Sequence, residues 1–464
     1  METVRDLFVF TLIAVSMFFS FGGSDDPSGV RKLIKRYRNE SEDGVPSWIK
    51  ELRSDPDVLA LYTSTDLFLI IPTMPVACAR RVAEALKSNK DLKNFNLMGC
   101  RMFPGSVAIL SEALEGNSSL TKLSLTRGLL EDDQVAELLG ALRENKSLTK
   151  LNLSNNRMGC EGTKALSKIL SVNTNLVSLG LGTNRINGED AKILAEAWKA
   201  NGMLMKLNLW SNPVGVGGSG ALSEVLKEDG SLVVLNLGYC DIGVDGVAKL
   251  SEALKVNTIL RKLSLVRNDI QGDGAKVLSE GLLLNSGLTS LDLEGNNIGS
   301  DGVGALSEAL KVNGTLTELN LQCNNIGAEG VCGLSEALKV NITLVVLGLQ
   351  FNKIGDEGVK AVSEMLKVNT SLTKLDLEFT GMGCEGARNI SDALKKNTSL
   401  MFLSLNYNLM EDEGLVALSE ALKVNKSLTS LGLASRREWP RGEQSLLKVL
   451  QLNTTLTDLG GKSF

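Results

Sequence analysis

The stretch TLTELNLQCNNIGAEGVCGLSEALKVNI, residues 315–342, decides the fold. Leu316, Leu319 and Leu321 stand in an Lx2LxL arrangement. The last two alternate with period two, which predicts a short strand with one buried face. Asn324, three residues on, carries an amide suited to the backbone groups of the turn that ends the strand. Gly327 and Gly330 give the chain freedom to turn into a helix. In GLSEALKV, residues 333–340, Leu334, Ala337 and Leu338 fall at helical spacing. Ser335, Glu336 and Lys339 are then expected to face out. Asn341 sits where a helix C-cap residue is expected.

The pattern repeats along most of the chain. From Leu92 through Leu316 to Leu456, a leucine recurs every 28 residues without a gap. The asparagine column holds Asn156, Asn184, Asn212, Asn268, Asn296, Asn324, Asn352 and Asn408, with Cys100 and Cys240 standing in elsewhere. Stacked asparagines predict a ladder along the repeats. One unit cannot stand alone, because ordering its backbone costs more entropy than its few leucines return. The units must stack on neighbours above and below.

These columns resemble the ribonuclease-inhibitor-type class of leucine-rich repeats, whose members include ribonuclease inhibitor, the Ran GTPase-activating protein and the sensor regions of NLR immune receptors. The resemblance covers residues 92–464 clearly and 63–91 weakly. It implies an α/β leucine-rich-repeat solenoid (a horseshoe), with a parallel sheet on the concave face and helices on the convex face. It implies little about function, because one scaffold serves many partners.

The ends depart from the period. Residues 1–24 are expected to be a hydrophobic N-terminal segment. Within it, residues 7–24 carry no charge and include five phenylalanines. A signal peptide, a membrane anchor, a capping helix and a misplaced start all fit, so any membrane contact is expected through residues 7–24 only. Arg31, Lys32, Lys35, Arg36 and Arg38 follow it, which favours keeping the repeats in the cytoplasm. Residues 25–62 read as a helical cap, from VRKLIKRYR and PSWIKELRS, and residues 63–464 as the repeat domain. ASRREWPRGEQ, residues 434–444, replaces the usual turn and predicts a distorted last unit.

Composition removes several chemistries. The 464 residues include no histidine, so His-based triads, His-ligated zinc and imidazole switches are excluded. The seven cysteines are odd in number and form no CxxC pair, which suits reduced thiols. A net charge of −5 gives no general attraction to nucleic acid. Gly215 to Gly220 matches GxGxxG, but Gly215 and Gly218 occupy ordinary glycine columns of the repeat, so no cofactor is expected. No P-loop ending follows Gly159 either. Of the eleven Asn-x-Ser/Thr sequons, Asn313, Asn341, Asn369, Asn397, Asn425 and Asn453 share one repeat column, so the repeat itself generates them.

Function is therefore expected at exposed strand positions on the concave face. The residue before the asparagine column is aromatic in four repeats: Tyr239, Phe351, Phe379 and Tyr407. The last three are in consecutive repeats and should stack. Trp210 and Phe402 fill neighbouring exposed columns. Charge divides along this face. Lys122, Arg127, Lys150, Arg157, Arg185, Lys206, Lys262 and Arg267 mark the earlier part. Asp292, Glu294, Glu318, Asp376 and Glu378 mark the later part. The leading expectation is a non-enzymatic scaffold or adaptor whose acidic and aromatic part holds a basic protein segment. A GTPase-activating protein is the second reading, with a small GTPase as partner and Arg101, Arg127 and Arg157 near the relevant turns. A sensor fragment of an NLR-like receptor is the third.

Overall fold

The computed structural model describes residues 47, 49, 50, 59–435 and 439–460. The chain divides into two compact units, Met1–Cys240 and Asp241–Phe464. The hydrophobic segment 1–24 and almost all of the expected helical cap lie outside the described residues. The last residues of that cap, Leu59–Tyr62, are a strand running antiparallel to Asp66–Ile70. No described helix is long and apolar enough to cross a membrane.

In the first unit, strands Asp66–Ile70, Asn94–Met98, Lys122–Thr126, Lys150–Asn152, Ser178–Gly180, Lys206–Asn208 and Val234–Asn236 pair in parallel, each with the next. A helix follows each of the first six, from Val76–Ser88 to Gly215–Glu228. The second unit repeats the plan. Its strands run from Lys262–Ser264 to Asp458–Gly460, all parallel, and helices such as Ala328–Leu338 alternate with them. Each unit is thus an α/β solenoid of stacked strand–helix repeats.

Register follows the leucines. Leu291, Leu319, Leu347, Leu375 and Leu403 face one another across adjacent strands. Each is at most 2% exposed. The asparagine ladder is present. Asn324 Oδ1 accepts from the backbone N–H of Asn296 at 2.9 Å and of Ile298 at 3.3 Å. Its Nδ2 donates to the carbonyls of Leu293 at 2.8 Å and Gln322 at 3.0 Å. One buried amide thus satisfies backbone groups of two repeats that no strand ladder reaches.

Two local expectations are corrected. Ser335 is buried, not outward-facing. Its column equivalents explain why: Ser307, Ser363 and Ser391 each donate to the carbonyl four residues back, so a small hydroxyl packs inside without an orphan. Asn341 lies beyond its helix, which is capped at Lys339. It closes the following turn instead, accepting from Thr343 N and Leu344 N and donating to the carbonyls of Leu310 and Asn313. Asn285 and Asn425, in the same column, do stand at the C-cap.

Helices pack through the glycine column. A Cβ on Gly218 would stand 2.8 Å from Ala191 Cβ and 2.7 Å from Val214 Cγ1, so the GxGxxG stretch serves helix packing. At the far end, Trp439 is buried and donates from Nε1 to Met410 O at 3.0 Å. Pro440 then opens the last helix. Residues 436–438 and 461–464 lie outside the described set.

Candidate functional site

The residue before the asparagine column does not lie in a strand. It occupies the turn just after it, in the left-handed region, with φ of 55° at Tyr239, 58° at Phe351, 56° at Phe379 and 52° at Tyr407. The expected strand position is corrected accordingly. Here the chain bends sharply, its turn closed by the next column residue, Asn352 and Asn408 or Cys240 and Thr380 in their place, and the preceding side chain turns out. The same conformation recurs at Gly99, Arg127, Asn155, Thr183, Ser211, Arg267, Gly295 and Cys323.

Turned outward, the aromatic residues are solvent-facing: Phe351 is 44% exposed, Phe379 51% and Tyr407 42%. They form a row. The Phe351 and Phe379 rings stack at 5.4 Å and 17°, and Phe379 and Tyr407 lie 6.4 Å apart, tilted by 46°. In the first unit, Trp210 meets Tyr239 edge-on at 5.1 Å. Phe402 stands at the first position of its strand, half-buried and beside Lys374.

The acidic residues fall on three parallel rows of the second unit. Glu318 opens its strand. Asp292, Asn320, Gly348 and Asp376 form the next row, in register. Glu294 and Glu378 stand two residues beyond Asp292 and Asp376. Asp292 Oδ1 accepts from Asn320 Nδ2 at 2.9 Å and from Glu294 N at 3.2 Å. Burial nonetheless pushes its carboxyl up to about 6, and the Glu294 charge adds to this against those two donors. Burial also raises Asp376, opposed by the N–H of Glu378 at 2.9 Å. Glu378 accepts from Asn406 Nδ2 at 3.1 Å.

The basic residues divide between the units. Lys122 and Lys150 are adjacent in register. Arg157 is ion-paired with Glu131, and Arg185 approaches the same carboxylate at 3.7 Å. In the second unit Lys262 lies 4.0 Å from Glu318, and Arg267 occupies the left-handed turn position. Arg101 lies over the Phe103 ring at 5.6 Å.

Three features escape a reading of the sequence by columns. A recess of about 410 Å³ opens on the strand face of the second unit around Gly348. Its signal is a glycine where the neighbouring strands carry Asn320 and Asp376. Val256, Leu284, Val312, Val340 and Val368, at or just past the ends of successive helices, form a second row of apolar residues, each more than half exposed. Cys384, Glu411 and Glu413 bring a thiol and two carboxylates within 4.8 Å of one another, and both glutamates are exposed. All seven cysteines are free, with Cys100 pushed up to about 12 by burial.

Comparison with known proteins bears on the repeats. The family model of the TMOD/LMOD leucine-rich domain matches residues 212–355. A leucine-rich-repeat model matches residues 144–167, 368–391 and 396–419. No curated protein matches the chain. Among solved structures, "Leiomodin-1 Actin-Binding Site 2" is 24% identical over 33% of this chain and 88% of that one, with a TM-score of 0.29. An internalin from Listeria monocytogenes is 19% identical over 90% of this chain and 89% of its own, with a TM-score of 0.46. With its 28-residue period, its stacked strand–helix units and its asparagine ladder, the chain that these models match is a leucine-rich-repeat protein.

Proposed function

We propose that the chain is a non-enzymatic protein-binding scaffold, and that the acidic and aromatic face of its second unit holds a basic segment of a protein partner. One observation carries this reading: the exposed row Phe351, Phe379 and Tyr407 occupies left-handed turn positions. Holding a non-glycine residue there costs roughly 1–2 kcal/mol. Each aromatic pair returns only about 0.5–1.5 kcal/mol. Gly295 stands at the same position without that strain. Stability therefore gives no reason for three consecutive rings, whereas an interface anchored by exposed aromatics does. The surrounding acids supply charge of one sign and would steer a basic partner toward the rings.

The test is binding of a labelled basic peptide by the full chain and by a variant with Phe351, Phe379 and Tyr407 changed to Ala. Loss of binding with an unchanged melting curve supports the reading. Retained binding rejects it and turns attention to the valine row beside the helices. Actin, which the similar leiomodin segment is named for binding, is a useful second probe. Binding by the wild type that the triple variant lacks would place actin on this face.

A GTPase-activating role ranks second. Of the arginines it would use, Arg157 is committed to Glu131 and Arg101 to Phe103, which leaves Arg127 on its turn. Accelerated GTP hydrolysis by a small GTPase would raise it. For location we propose the cytoplasm. The repeated sequons support this reading only indirectly: Asn341 and its column equivalents already use their amides in backbone hydrogen bonds, so a glycan there would break the fold. Fractionation with a glycosidase shift tests it.

A further inference from the structure

The recess around Gly348 has a composition that names its occupant. Four neighbours bound it. Val346 and Gln350 precede and follow Gly348 on its own strand face. Asn320 and Asp376 stand in register on the two adjacent strands. The glycine is what leaves room. A Cβ there would stand 2.8 Å from Asn320 Oδ1 and 2.9 Å from Gln350 Oε1. Two acceptor oxygens thus converge above a bare Cα. Gln350 Oε1 has no hydrogen-bond partner among the described residues. Carboxylates lie on both sides, Asp292 beyond Asn320 and Asp376 opposite. Adjacent strands lie about 4.8 Å apart, so Asn320 and Asp376 flank a gap of about two strand spacings. The Phe402 ring belongs to the same lining, next to Lys374 on the rim. With Asp292, Glu318 and Asp376 against Lys374, the lining is negative overall.

Such a recess is rich in acceptors. An ammonium has three donors on a point charge, whereas a guanidinium has five in a plane, fits carboxylates two at a time and stacks on an aromatic ring. We propose that this recess is the specificity pocket of the binding face and takes an arginine side chain of the partner, its guanidinium held by Asp376 and the amide oxygen of Asn320, with Phe402 against its plane and Asp292 and Glu318 adding negative charge to the lining. This rests on the reading that the face binds a basic protein segment, and it adds which basic residue is read and where.

The experiment measures fluorescence anisotropy of the full chain with a labelled Gly/Ser peptide carrying spaced arginines. Versions with lysine and with citrulline, the neutral isostere, are run in parallel. Gly348→Asn fills the recess with the residue that Asn208, Asn236 and Asn320 place in the same column; the strand backbone suits it, and the side-chain ends of Asn320 and Gln350 shift to make room. Gly432→Asn makes the same change outside the recess. The arginine peptide is expected to bind about tenfold tighter than either other version. Gly348→Asn should erase that preference and Gly432→Asn should keep it. Equal binding of arginine and lysine or citrulline peptides, or an arginine preference that survives Gly348→Asn, overturns the pocket. If Gly348→Asn has no effect while the Phe351, Phe379 and Tyr407 to Ala variant abolishes binding, the pocket fails and the binding face stands. If neither change matters, both fail.

Discussion

A run of the turn column in the first unit and a run in the second share one backbone and carry opposite surfaces. Arg127, Asn155, Thr183 and Ser211 have φ between 54° and 60°, and Phe351, Phe379 and Tyr407 have φ between 52° and 58°. Behind both runs the same leucines are sealed from water and side chains in the asparagine column close the same turns. Yet one run is polar and the other aromatic. Where conformation is held constant by the interior, the identity of the outward residue is free of the fold. The proposed binding face rests on this difference between the runs. The units also differ in how they hold their charge. In the first unit Arg157 and Arg185 share Glu131, so part of the charge is neutralised internally. In the second, Asp292 and Asp376 are held partly buried by neutral donors, and burial raises both.

The largest expected effect bears on the interior that the units share. Leu181→Ala and Leu321→Ala, the same column in each unit, should each cost about 2–5 kcal/mol, because both side chains are buried and leave a cavity. Urea denaturation followed by circular dichroism measures this. Unequal losses would mean that the two interiors are not equivalent and would undo the comparison.

Next in size is the surface contrast. Changing Phe351, Phe379 and Tyr407 together to Ala should weaken basic-peptide binding by about 2 kcal/mol or more, the scale of interface anchors. The matching change of Arg127, Asn155 and Thr183 should leave it unaltered. Titration calorimetry on both variants decides, and equal losses would remove the distinction between the units.

A smaller effect sharpens the electrostatic side. Asp292 has its carboxyl raised from 3.8 to about 6 in the folded chain. The folded form therefore holds a proton that the unfolded form releases between those values. Stability from this group is present at low pH and falls as pH rises through about 6. Asp292→Asn keeps an acceptor for Asn320 and Glu294 and carries no charge. It should be neutral near pH 4 and stabilising at pH 8. Urea midpoints at the two pH values test this, and a variant less stable than wild type at pH 8 would contradict the buried-carboxylate account.

The smallest effect concerns the turn itself. Thr183 is β-branched at φ 54°, and its buried hydroxyl has no hydrogen-bond partner among the described residues. Thr183→Gly should stabilise the chain by about 1 kcal/mol, since glycine adopts this conformation freely. A destabilised variant would show that strain at this column is negligible and would weaken the argument from the aromatic row.

How much was legible follows from what repeats. Leu321 and Asn324 recur at a fixed period, and each has one physical job, so strand, turn and helix could be read from them. The outward direction of Phe351 was legible for the same reason. Its left-handed backbone was not, because periodicity reports exposure and is silent on φ; the clue was that the column also accepts Gly99, Gly295 and Asn155. The burial of Ser335 was missed because a polar residue at helical spacing looks solvent-facing until its hydroxyl finds a carbonyl on its own helix. The pairing of Arg157 with Glu131 joins residues from different repeats, and the recess at Gly348 is defined by neighbours on other strands. Both depend on which side chains come together across the stack, which a column read one residue at a time does not give.

The most direct test of the binding face is hydrogen exchange of the full chain with and without the arginine peptide. The account predicts added protection confined to the second unit, in the strands and turns running from Ser290–Asp292 to Tyr407. Protection centred on the first unit, on the helix side or nowhere would contradict it.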